Sequence, residues 1–259
     1  MKHIQLIAIC LFLLLAGSVQ AQMPAGRTKA TIVADALAQL PADTQQKYDQ
    51  IIADLVSTGE EGLLDLIGRM NPPGNKSNET VDYAISGWTH SVANDAVKRN
   101  VTANAFEKAL NQQLDKEVKA FVIRQLRTIG SDDNVDVLSG LLTDEQLSSP
   151  ASLALVSIGT EKADAALLEA LKTTNSEPII LNLANAIGQT HYVAAEPELL
   201  NLLEKSNSEK LQKVLLNALG QIGTKESLKT LRNEAEEINY VYVKNNATAA
   251  YISLLSRLN

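Results

Sequence analysis

The chain has 259 residues, 45% hydrophobic and 4% aromatic, with 23 Lys+Arg against 30 Asp+Glu and a formal net charge of −7. An acidic chain without a basic block is poorly suited to nucleic acid or to an anionic membrane surface, both of which are bound through clusters of Lys and Arg. The single Cys, Cys10, excludes a disulfide framework, and a chain of this length can bury a large core without one.

Lys2 and His3 form a short basic start, and an uncharged apolar run follows from Ile7 to Leu15. That run is too short to span a bilayer. Ala16, Gly17 and Ser18 come next, then Val19-Gln20-Ala21, which fits signal peptidase. The pattern predicts a signal peptide over residues 1–21 and a mature chain of 238 residues that has lost Lys2 and Cys10, with a net charge of −8. A retained anchor is the competing reading. Lipidation does not fit, because Cys10 sits inside the apolar run and not at its end. Asn75, Asn78, Asn100 and Asn246 head Asn-x-Ser/Thr sequons that a eukaryotic secretory pathway could glycosylate. The short signal and Cys-free mature chain favour instead an exported bacterial protein, periplasmic or extracellular, with no membrane insertion after signal removal.

Residues 22–41 read as an N-terminal segment with a capping helix from Lys29 to Leu40, stopped before Pro41. Residues 42–259 read as a repeat array. Asn71-Pro72-Pro73-Gly74 begins a loop over 71–78, since paired prolines next to Gly cannot continue a helix. Leu55-Val56-Ser57-Thr58-Gly59, followed by Leu63, Leu64, Leu66 and Ile67, has the outline of one unit, and Tyr83-Ala84-Ile85-Ser86-Gly87 that of another.

Four later segments share an ending: Thr128-Ile129-Gly130, Ser157-Ile158-Gly159, Ala186-Ile187-Gly188 and Gln221-Ile222-Gly223. The glycines stand 29, 29 and 35 residues apart, room for two short helices and two turns. In the first copy Val118, Phe121, Val122, Leu126 and Ile129 form one helical stripe, interrupted only by Gln125. Gly130 is expected at the left-handed position after the helix. Val135, Val137, Leu138, Leu141 and Leu142 then supply a returning helix. Tyr240-Val241-Tyr242-Val243 alternates like a strand but is short, and a helical pattern follows to Leu258. The expected fold is all-α, an α-α superhelix of about five to six hairpins.

A two-helix unit of about thirty residues ending in Leu-x-x-Ile-Gly resembles the HEAT-like (armadillo-type) repeat family over roughly Ala42 to Asn259. It lacks that family's usual Pro in the first helix and its Asp/Arg positions, so tetratricopeptide-like and irregular α-α superhelices stay open. The stretch from Gly26 to Leu37, with Ser57-Thr58-Gly59-Glu60-Glu61-Gly62, is similar to secreted Gram-negative proteins in which a HEAT array precedes a sugar-hydrolase-like β-sandwich. No catalytic residue carries over from that likeness. It implies an envelope setting concerned with glycans.

Chemistry is sparse. His90 and His191 are the only histidines after residue 21 and lie far apart in sequence, so neither a zinc site nor a cofactor is expected. No nucleophile elbow or phosphate-binding glycine loop occurs. Asp132, Asp133 and Asn134 read as helix-capping residues, and Glu60, Glu61, Glu234, Glu236 and Glu237 as solvated helix ends. Trp88 and His90 are the candidate surface contact, a stacking platform for a sugar or an anchor for a protein; packing into the core is the competing reading of Trp88. The expected function is a non-catalytic exported scaffold binding a protein or peptide through its concave face. The alternative is an accessory or degenerate component of a carbohydrate-processing envelope protein.

Overall fold

Amphipathic stripes of the kind just described become helices wherever a neighbour can cover them. The computed structural model describes residues 26–72, 74–75, 77–242 and 246–259, and the predicted signal peptide lies outside these. The α-helices are α1 (Lys29–Gln39), α2 (Gln45–Ser57), α3 (Gly59–Gly68), α4 (Glu79–Val92), α5 (Ala96–Leu110), α6 (Lys116–Ile129), α7 (Val135–Ser139), α8 (Ser148–Ile158), α9 (Glu161–Thr173), α10 (Glu177–Thr190), α11 (Glu196–Lys205), α12 (Glu209–Ile222), α13 (Lys225–Glu237) and α14 (Ala247–Leu258). No strand occurs among the described residues, and Tyr240 to Tyr242 form turns. No described helix is long and apolar enough to cross a membrane.

The helices form six consecutive hairpins, α2/α3 to α12/α13, with α1 packed on α2 and α3 and α14 packed on α12 and α13. This is an α-α superhelical repeat. The even-numbered helices make one layer and the odd-numbered helices the other, and one core runs between them from Val33 to Leu254. Side-chain oxygens of Thr28, Thr44, Asp95, Thr160, Ser208 and Thr224 accept from free N–H groups at the first turns of their helices. The predicted stripe of α6 is buried throughout, Gln125 included.

The glycines do two different jobs. Only Gly159 among the four takes the left-handed conformation, with φ 65°. Gly130 and Gly223 follow α6 and α12 with extended backbones, and a Cβ on either would fall 2.6 or 2.5 Å from the carbonyl oxygen that its own N–H binds. Gly188 lies inside α10, and the left-handed residue that ends this helix is His191, φ 59°. The helix ends therefore fall at Gly130, Gly159, His191 and Gly223, spaced 29, 32 and 32 residues, which corrects the 29, 29, 35 reading.

Gly188 corresponds instead to Gly220, one repeat of 32 residues later, and both let even-numbered helices touch. A Cβ on Gly188 would lie 3.1 Å from the Ala218 Cα, and one on Gly220 2.9 Å from the Ala250 Cα. Over α6 to α14 the even helices approach one another more closely than the odd ones do. Bonds one repeat apart reinforce the register: Ser176 Oγ donates to Glu145 at 2.8 Å, and Ser208 Oγ donates to Glu177 at 2.7 Å.

Glu196, at the start of α11, caps the following hairpin. Its carboxylate accepts from Thr224 N at 2.7 Å, Thr224 Oγ1 at 2.8 Å, Ser227 N at 3.1 Å and also from Ser227 Oγ. Burial pushes the carboxyl up, but the Ser227 and Thr224 donors together outweigh it and hold the group below its ordinary value.

Two other expectations are corrected. Gly87 does not end a helix but lies buried within α4, where Tyr48 packs against it. The return helix α7 stops at Ser139, and Leu141 and Leu142 reach the core from the turns that follow.

Gly220→Ala should lower stability by about 1–3 kcal/mol in urea unfolding, because the α12–α14 approach leaves no room for a methyl group. Gly68→Ala, where nothing lies within 4 Å, should be neutral or stabilising by about 0.5–1 kcal/mol.

Glu196→Gln should cost about 1–3 kcal/mol at neutral pH, since buried donors lose a charged acceptor. The folded value is below the unfolded one, so the wild-type contribution is complete above the unfolded value of about 4.3 and fades as pH falls through the folded value. The stability gap between wild type and variant should accordingly narrow on acidification.

Candidate binding face

Electrostatics separate the two layers. The odd-numbered helices carry 16 Asp/Glu against 10 Lys/Arg, whereas the even-numbered helices carry 7 against 8. The acidity of the helices is thus concentrated on the odd side. Much of it is engaged in ion pairs, among them Glu60 with Lys108 at 2.6 Å and Glu61 with Lys29 at 2.7 Å.

A concavity of about 750 Å³ lies on the even side, between α2 and α4. Its apolar lining comes from Ile52, Ala53, Val56 and Val92, and its polar lining from Asp49, Ser57, His90, Ser91 and Lys98. The gap exists because α2 and α4 are less closely packed than the later even helices. Tyr48 partly fills it, with its hydroxyl where a Gly87 Cβ would be and its ring 5.1 Å from that of Tyr83. Burial, then the neighbouring Tyr83 and Asp49, push the Tyr48 phenol up, so it stays a protonated donor.

The two predicted contact residues part company here. His90 is exposed and lines the groove. Trp88 is 2% exposed, and its indole N–H donates to Thr102 Oγ1 at 3.1 Å. It fills the core between α4 and α5 and offers no surface for a ligand, which corrects its place in the candidate contact. Its position was signalled by Ala84, Ile85, Trp88 and Val92, which share one buried face of α4. His191 is exposed at the end of α10. No cluster of three or more His, Cys, Asp or Glu side chains suited to a metal occurs among the described residues.

Further along, the outward stripes of successive even helices line up by their distance from each helix end: Arg124 on α6, Leu153 on α8, Asn185 on α10 and Asn217 on α12. Gln189 and Gln221 repeat the register about one turn further along their helices. Arg124 and Arg127 line a second groove of about 300 Å³ between α6 and α8 with Gln146, Ser149 and Leu153. Sequence reading missed this groove, because its walls belong to different repeats.

The family model described as HEAT repeats matches residues 103–188, from α5 into α10. No curated protein sequence matches the chain. Human deoxyhypusine hydroxylase in complex with glycerol is 14% identical, with 88% of this chain and 97% of that one covered and a TM-score of 0.36. The complex of CpcE and CpcF of phycocyanin lyase from Nostoc sp. PCC7120 is 14% identical, with 92% and 97% covered and a TM-score of 0.39. Likenesses this remote bear on neither site nor function.

Thr102→Val should destabilise the chain by about 1–3 kcal/mol by stranding the buried indole N–H, and Thr102→Ser should restore most of that. His90→Ala should leave the urea midpoint unchanged.

Proposed function

We propose that this chain is a non-catalytic scaffold that binds a protein or peptide segment on its even-numbered face, with the α2–α4 groove as the principal contact. The observation that carries this reading is the groove itself: about 750 Å³, apolar in its lining, edged by donors and acceptors. Stacked hairpins present such surfaces on a rigid frame, so little order is lost on binding. Export completes the proposal: the signal pattern over residues 1–21 would deliver the mature chain to the periplasm or outside the cell. A glycan partner has less support, since its principal residue, Trp88, is buried.

Ala53 is exposed at the groove, so Ala53→Arg obstructs it without entering the core. With residues 22–259 as bait in native extract, a stoichiometric protein should be retained by wild type and weakened at least about tenfold by Ala53→Arg, a loss of about 1.4 kcal/mol. Equal recovery by both would count against the groove. Mass spectrometry of the native protein should find an N-terminus at Gln22.

A further inference from the structure

Fewer than half of the described Lys and Arg side chains are neutralised within the chain. Nine Lys and Arg side chains have a carboxylate within 4.0 Å. Arg124 and Arg127 form no such pair among the described residues, although the chain carries 30 Asp+Glu. They sit three residues apart on α6, both exposed, and line the same groove of about 300 Å³ against Ser149 and Leu153 of α8. The opposite wall adds no charge, because α8 contains no ionisable side chain. Glu117 faces the groove, and Asp82 shares a neighbouring pocket of about 180 Å³ with Arg124.

Each guanidinium has one neighbouring group within the chain. Arg127 Nε donates to Ser157 Oγ at 3.3 Å, leaving its terminal nitrogens free of that contact. The Arg124 guanidinium lies 5.8 Å from the centre of the Phe121 ring. A guanidinium can grip a carboxylate through two parallel N–H donors. Phosphate shares that chemistry, but the two arginines stand in a groove with an apolar wall at Leu153 and no extended basic track leads away from it. Across α8, α10 and α12 the residues in line with Arg124 are Leu153, Asn185 and Asn217, none of them acidic.

We infer that the α6–α8 groove is a second contact point for the partner, and that it receives an acidic segment of a protein, whose carboxylates pair with Arg124 and Arg127. This rests on the scaffold reading and adds the partner's chemistry to it. The acidic odd layer repels such a segment, so the same charge asymmetry also fixes which side of the stack the partner meets.

The test uses the full mature chain and a fluorescent peptide of about eight residues alternating Glu and Gly, with a Gln-for-Glu peptide as its neutral counterpart. The Glu peptide should bind, should weaken at least about fivefold in the Arg124→Ala/Arg127→Ala double variant, and should weaken with added salt. Lys172→Ala, on the odd layer, should leave it unchanged. Circular dichroism of the double variant keeps the result interpretable, since both side chains are exposed and the helical signal should persist. Equal binding of the Gln peptide, no loss in the double variant, or tighter binding of a thymidine oligonucleotide or of phosphatidylglycerol vesicles would each overturn the inference. If Ala53→Arg abolishes partner capture while the Glu peptide fails to bind, the scaffold reading stands and the acidic partner falls.

Discussion

Each hairpin in this chain has more apolar surface than its own two helices can cover, and the excess is buried only when the next hairpin packs beside it. That constraint shapes everything else. It brings the later even-numbered helices close, and Gly188 on Ala218 and Gly220 on Ala250 meet at positions with almost no side chain. Stability in such an array is a sum of hairpins and neighbouring interfaces, so no single distant contact holds the chain together.

Polar groups serve the same end. Glu145, Glu177 and Glu196 each reach one repeat forward to a Ser or Thr at the start of the next even or odd helix. These bonds satisfy donors that a helix start leaves free, and they set the register between hairpins as the apolar contacts alone would not. What stays outside the ledger of internal pairs, notably Arg124 and Arg127, is available to a partner.

The repeat was legible because its signal is local: apolar residues at helical spacing, capping Thr, Ser and Asp, and glycines near helix ends. The α6 stripe from Val118 to Ile129 is the clearest case. The period was misread where one residue type does two jobs, since Gly188 permits a helix contact and His191, not a glycine, occupies the left-handed end of α10. Gly87 misled for the same reason. Trp88 could be read as core or as surface from its type alone, and the companions on its face decide for the core. Neither groove was legible, because each depends on the distance between helices of different hairpins, and Tyr48 with Gly87, or Arg124 with Leu153, have no sequence signature as pairs.

The account depends on the stack being a chain of neighbour interfaces, and amide hydrogen exchange followed by mass spectrometry tests that most directly. Protection should be greatest in α8 and α10, which have neighbours on both sides, and should fall toward α1 and α14, which have them on one. Uniform protection from α1 to α14, lost in one step, would contradict it and point to a single globally cooperative core.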